Sequence, residues 1–266
     1  MKSLPYVHAF ALAYLLAVGG VSAACYDWDG GGDGTTFSCA TNWTCNTLPG
    51  AVDRARFRGD GCLSPTINLA PCSPHTACRF EVHAASNGTG CEVYTFKNGT
   101  FNAVCDARFR TGTATFNCVI LNTGDSFEVG KTTAADTATV NLNGACTTVT
   151  ASGRISVATL GAGTLNLTNG ATASSNGANI RMGIAACTTA FVHVASGSTF
   201  GTGPGCFQFE MGTNGGTATL IATDAGTTVR SSEDIDVGQT CGSATINSTD
   251  ATFDIEQDLI VARSCS

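Results

Sequence analysis

Between Thr113 and Ala262 one segment of roughly 26 residues is written again and again, and no other feature limits the fold so strongly. Rows starting at Ala114, Ala138, Gly163, Ala190, Ala218 and Ala244 begin 24, 25, 27, 28 and 26 residues apart. Two residues into each row stands a large apolar side chain: Phe116, Val140, Leu165, Val192, Leu220 and Ile246. Each row closes on an apolar, any, apolar, small-residue signature: Phe127-Glu128-Val129-Gly130, Ile155-Ser156-Val157-Ala158, Ile180-Arg181-Met182-Gly183, Phe209-Glu210-Met211-Gly212, Ile235-Asp236-Val237-Gly238 and Leu259-Ile260-Val261-Ala262.

Within a row the apolar positions alternate two apart, Thr, Val, Ile and Phe predominate, and Gly, Asn, Asp and Ser separate the runs. This is strand patterning. One coil of this length holds about three short strands, which cannot bury an apolar face alone. Stacked coils solve the problem, because each strand pairs in parallel with the next coil's and the inward side chains share a core. The reading is an all-β, right-handed parallel β-helix of about eight coils. The small residue ending each row is expected where the coil turns tightly. From Ala51 to Arg110 the rhythm is looser. Thr66-Ile67-Asn68-Leu69 and Glu92-Val93-Tyr94-Thr95 match a row's first strand, and Arg79-Phe80-Glu81-Val82 and Ala107-Arg108-Phe109 match its end.

Residues 1–24 read as a secretory signal peptide: Met1-Lys2, an apolar run from Leu4 to Val21, then Val21-Ser22-Ala23-Ala24. Residues 25–50 read as a Cys-rich cap segment and residues 51–266 as the solenoid. A net charge of −7 argues against a nucleic-acid partner, and no second apolar span of membrane length follows the signal. Arg263-Ser264-Cys265-Ser266 has no lipid-anchor character, so a secreted or cell-surface location without membrane contact is expected.

The 14 cysteines lack the companions of a zinc site, so disulfides are expected and neither metal nor cofactor. Cys241 lies three after Gly238 and Cys265 three after Ala262, equivalent places on neighbouring coils. With coils about 4.8 Å apart, a Cys241–Cys265 disulfide follows. Cys118 falls on an inward position and reads alternatively as a plain buried thiol.

The order Trp28-Asp29-Gly30-Gly31, Asn42-Trp43 and Pro49-Gly50-Ala51-Val52-Asp53 resembles the opening segment of secreted β-helix proteins of the autotransporter-passenger and repeat-adhesin type. The resemblance covers some thirty residues and the repeat style. It implies that a P-x-x-x-D strand begins the first coil, and speaks to architecture more than to activity.

Function should lie on outward positions. Thr113, Thr115 and Asn117, Thr137, Thr139 and Asn141, Thr164 and Asn166, Thr217 and Thr219, Thr245 and Asn247 should form ladders on one flat face, bonded to one another or facing a ligand. Such Thr arrays are similar to those of ice-binding solenoids. Phe191, His193 and Ile221 interrupt this one, and Asn166 and Asn247 begin glycosylation sequons on the same face. Asn42, Asn87 and Asn98 begin others. A polysaccharide lyase or hydrolase would need clustered carboxylates. The richest cluster is Glu233, Asp234, Asp236, Asp254, Glu256 and Asp258, with Glu210 stacked over Asp236 and Arg181 over Glu210, and it reads as solvated surface. The sequence therefore points to a non-enzymatic structural or adhesive module of a cell surface or extracellular matrix. Its expected partners are surface carbohydrate or copies of itself, stacked head to tail into filaments.

Overall fold

A computed structural model describes residues 23–59, 64–70, 72–83, 92–131, 133–205 and 207–261. The signal peptide, but for Ala23 and Ala24, together with Asn87, Cys265 and Ala262, lies outside the described residues. The chain forms a parallel β-solenoid of about nine turns, one more than the repeat count suggests. Each full coil contributes a strand to each of three stacks. We call them the hydroxyl sheet, the middle sheet and the ion-pair sheet after what they carry outside.

The hydroxyl sheet runs from Thr66–Asn68 through residues 93–97 and 112–117 to Thr137–Asn143, Ala162–Thr168, Thr189–Val194, Thr217–Thr223 and Ser243–Thr249. The middle sheet follows from residues 75–77 through 101–103 and 120–123 to Thr148–Ala151, Thr172–Ser175, Thr199–Thr202, Thr228–Ser231 and Thr252–Ile255. The ion-pair sheet stacks Cys25–Asp27, Arg54–Phe57, residues 79–82 and 106–109, and then the closing triplet of every row as far as Leu259–Val261. Every pairing between these strands is parallel. Asp53 directly precedes Arg54–Phe57, as the P-x-x-x-D resemblance implies, and its carboxylate accepts from Ala24 N and Gly50 N at 3.1 and 2.9 Å. Cys25–Asp27 already lies on Arg54–Phe57, so the stack begins within the cap segment.

Val140, Leu165, Val192, Leu220 and Ile246 form one interior file. Phe116 does not join it: Ala114 faces Val140 and Phe116 faces Leu142, a two-residue shift from the register that equal row starts imply. The corner that leads into the sheet explains the shift: Phe109 pairs with Val129 and Gly112 with Ala138, so three positions in one coil correspond to nine in the next and row starts are not equivalent points on the two coils. A slip of two keeps each side chain on its own face, and Phe116 remains buried.

The corners are set by residues of positive φ. Gly130, Ala158, Gly183, Gly212 and Gly238 have φ of 66°, 56°, 59°, 57° and 71°, so the small residue of each signature is the tight turn. A Cβ on Gly183 or Gly212 would come within 2.2 Å of Thr217 O or 2.1 Å of Ser243 O. At the corner between the hydroxyl and middle sheets the left-handed residues are Asn98, Cys118, Asn169, Ser196, Asp224 and Asp250, mostly types that tolerate this region. Such a residue resets the alternation. Phe116 points in before Cys118 and Val119 after it, leaving Cys118 exposed and bonded to Cys146, not buried as a thiol.

The core changes character along the axis. Trp28, Phe37 and Trp43 close the N-terminal end, and Phe57, Phe80, Phe96, Phe109 and Phe116 continue in ring-to-ring contact. Beyond Phe127 the filling is mainly aliphatic. Each fully buried Val, Leu or Ile contributes roughly 1.5–3 kcal/mol.

Candidate functional site

On the outside of the hydroxyl sheet, strand alternation and parallel register arrange the polar residues in files. Thr113, Thr139, Thr164, Phe191, Thr219 and Thr245 form one. Thr115, Asn141, Asn166, His193, Ile221 and Asn247 form the next, and Asn117 faces Asn143, which faces Thr168. Thr137, Ala162, Thr189, Thr217 and Ser243 form a fourth. The expected residues therefore share one face, but Thr113 stands beside Thr139, not Thr137. Thr115 and Asn117 stand beside Asn141 and Asn143.

The amides of this face are bonded to one another. Asn166 Nδ2 donates to Asn141 Oδ1 at 2.8 Å, and Asn141 Nδ2 donates to Thr115 Oγ1 at 3.2 Å. Asn143 Nδ2 donates to Asn117 Oδ1 at 2.8 Å, while Asn143 Oδ1 accepts from Asn169 Nδ2 at 2.7 Å. Asn166 is half-buried with its amide in this chain, whereas the sequon residues Asn98 and Asn247 are exposed. Asn42 is the clear departure from the glycosylation reading. Its side chain is fully buried, Oδ1 accepts from Gly32 N and Gly34 N, and Nδ2 donates to Asp33 Oδ1 and Thr36 O. Every hydrogen-bonding position of the amide is used inside the cap, leaving none for a glycan.

Asp33 is the exposed counterpart of that hub. Hydrogen bonds from Thr36, from Asn42 and from the Thr35 N–H hold its carboxyl well below the usual range. Cys78–Cys105 and Cys118–Cys146 join successive coils, with Cα separations of 4.9 and 4.6 Å. This is the coil-to-coil geometry argued for Cys241. Cys241 is disulfide-bonded, and its expected partner Cys265 lies outside the described residues.

The ion-pair sheet carries a pattern that sequence reasoning caught only at one end. Parallel register stacks Asp27, Arg56, Glu81, Arg108, Glu128, Ser156, Arg181, Glu210, Asp236 and Ile260 in a single outward file. Charge alternates along it as far as Glu128, where Ser156 interrupts. Arg108 Nε lies 3.0 Å from Glu128 Oε2 and its Nη2 2.8 Å from Asp106 Oδ2, and Lys131 also contacts Glu128. Arg181 Nε lies 3.2 Å from Glu210 Oε2, as the stacking of their rows implies. The available signal was the middle residue of each closing triplet.

The acidic cluster near the C-terminal end is held locally. Arg230 reaches Asp254 Oδ2 at 3.6 Å and Glu256 Oε1 at 2.8 Å, and Asp234 Oδ1 accepts from Asp258 N at 3.0 Å. Among the described residues no group of three or more His, Cys, Asp or Glu is placed to hold a metal ion, and no helix is long and apolar enough to cross a membrane.

Among the described residues, two of the surface openings are clefts that could hold a small ligand. One, of about 370 Å³, lies between the cap and the first coils beside Trp28, Asp29, Arg58, Pro65 and Tyr94. The other, of about 310 Å³, is lined by Arg154, Ala178, Asn179 and Arg181. The fold and its polar ladders define a disulfide-linked parallel β-solenoid with a flat hydroxyl- and amide-bearing wall. No family model, no curated protein and no solved structure matches the chain.

Proposed function

We propose that this chain is a non-enzymatic structural or adhesive module, secreted to a cell surface or extracellular matrix. The observation that carries the reading is the Asn166–Asn141–Thr115 chain of hydrogen bonds, by which the outer wall satisfies itself from coil to coil. Such a wall is rigid and durable, and contacts a partner as a surface. The disulfides between successive coils suit an oxidising compartment. The partners are surface carbohydrate and other copies of the chain.

Assembly would run through the last described coil, where Leu259 and Val261 are 52% and 66% exposed and Ile246, Phe253 and Ile255 are only partly buried. Exposed apolar side chains and strand edges favour stacking. Trp28, Phe37 and Trp43 form an aromatic cap at the opposite end, so a head-to-tail contact would seat this coil against another copy's cap. Negative-stain electron microscopy of the oxidised chain over a concentration series tests this. Rods that lengthen with concentration are expected, and particles of one fixed length at every concentration would refute assembly.

One observation favours a second reading, ice binding. The corrected register gathers Thr113, Thr139, Thr164, Thr219 and Thr245 into one file, broken only by Phe191. Inhibition of ice recrystallisation by deglycosylated protein, lost on Thr164→Tyr, would establish it in place of the structural reading. Cleavage of polygalacturonate or alginate, lost on Asp236→Ala, would establish a lyase or hydrolase instead.

A further inference from the structure

The cleft lined by Arg154, Ala178, Asn179 and Arg181 sits where the ion-pair file loses its alternation. Ile155 lies between Phe127 and Ile180 in register, so Arg154, one residue earlier, falls between Ser126 and Asn179. Ser156 stands neutral between Glu128 and Arg181, where strict alternation would place a cation. Two guanidinium groups from adjacent coils thus flank an opening whose own level supplies no acid.

Two of the neighbouring carboxylates, Glu128 and Glu210, are already engaged, and a third, Asp125, lies exposed beside Gly153. Glu128 is held by Arg108, Lys131 and the Ser126 hydroxyl, and is 1% exposed. Glu210 is held by Arg181 and by Asn179 Nδ2, while Asn179 Oδ1 accepts from Gln208 N at 3.1 Å. Asn179 is therefore a fixed wall of the cleft. Arg154 is half-buried, and among the described residues its side chain has neither an ion pair nor a hydrogen bond. In a chain of net charge −7, an unpaired guanidinium aimed into a cleft is a group with an unused capacity for an oxyanion. A volume of about 310 Å³ is at the small end of ligand sites and suits a single ring bearing an anionic group.

We propose that this cleft binds one unit of an acidic glycan, with Arg154 gripping the carboxylate or sulfate oxygens and Arg181 sharing them from the next coil. The choice of a glycan rests on the extracellular adhesive reading; the anion chemistry rests on the cleft itself. The site lies on a different sheet from the hydroxyl ladders, so the wall and the cleft act separately.

Isothermal titration calorimetry of the full oxidised chain tests the proposal, with oligogalacturonate, a sulfated heparin-type oligosaccharide, a neutral cello-oligosaccharide and inorganic sulfate as separate probes. Binding of one or both acidic oligosaccharides is expected, the pair telling carboxylate from sulfate, with no binding of the neutral one. Arg154→Gln should weaken it at least tenfold, and Arg154→Lys, which keeps the charge without the fork, should weaken it less. Arg54→Gln, at an exposed site on the same sheet, should leave it unchanged. Equal affinity in Arg154→Gln, equal binding of the neutral oligosaccharide, or binding of inorganic sulfate alone would overturn the proposal, as would no binding of any probe. None of these results would alter rod formation, so the cleft and the assembly reading fail independently.

Discussion

Asn166 passes a hydrogen bond to Asn141 across 2.8 Å, one coil away, and Asn141 passes another to Thr115 across 3.2 Å. Three coils are tied by a side-chain chain lying outside the backbone ladder. Because Asn141 is both donor and acceptor, its removal breaks both links. Asn141→Ala should therefore cost about 1 kcal/mol, softened because the freed groups are half-exposed and can turn to water. Thermal unfolding followed by circular dichroism measures it. Asn247→Ala, at an exposed place in the same file, should have no measurable effect.

Both tryptophans of the chain, Trp28 and Trp43, lie in the cap, so their fluorescence reports on that segment alone. Asp33 has a folded pKa held below its unfolded value, mainly by hydrogen bonds from Thr36 and Asn42. Its contribution is fully present above the unfolded pKa of about 3.9 and is lost as pH falls through the folded value. The wild-type emission should shift to the red below about pH 4. In Asp33→Asn the cap should be looser at neutral pH and that acid-dependent step reduced.

Arg108 bridges Asp106 on its own strand and Glu128 one coil on, and both carboxylates are largely buried. Arg108→Ala should destabilise the chain by about 3 kcal/mol, the low end for breaking a buried pair, because Lys131 and Ser126 remain on Glu128. Arg108→Lys keeps the charge but loses the fork, and should recover only part of the loss in denaturant unfolding.

Glu92 is 1% exposed, and neither carboxylate oxygen has a hydrogen-bond partner among the described residues. It precedes Val93, which pairs with Thr113, so it occupies the place that Gly112 and Ala138 take on the following coils. Replacing it with the small residue used there should stabilise the fold. Glu92→Ala is expected to raise stability by about 1–3 kcal/mol, read as an increase in Tm.

The repeat signature carried the architecture because each of its positions answers a separate physical demand. Val140 and Leu165 had to be inside, and Gly183 and Gly212 had to turn where a Cβ would strike the next coil's carbonyl. Register within the regular rows followed from the same spacing. It slipped between Phe116 and Val140 because row length does not reveal how many residues a corner takes, and the corner entering the strand covers three positions from Phe109 to Gly112 but nine from Val129 to Ala138. The polar wall was readable from Thr and Asn at alternate positions. The ion-pair file was not assembled, since Asp27, Arg56 and Glu81 lie in the irregular first coils, where no row start marks them as equivalent. The burial of Asn42 in the cap was hidden too, because its sequon is the same string whether the amide faces out or in.

The stacking register underlies both the wall and the cleft, and covalent capture reads it directly. Native disulfides already join successive coils at Cα separations of 4.9 and 4.6 Å, so paired outward positions on adjacent coils are within bridging range. In the oxidised chain, peptide mapping by mass spectrometry should find a new cross-link in Thr139→Cys/Thr164→Cys and in Thr113→Cys/Thr139→Cys, and none in Thr113→Cys/Thr137→Cys. A cross-link in the last variant, with none in the first two, would contradict the stacked coils from which the wall and the cleft are built.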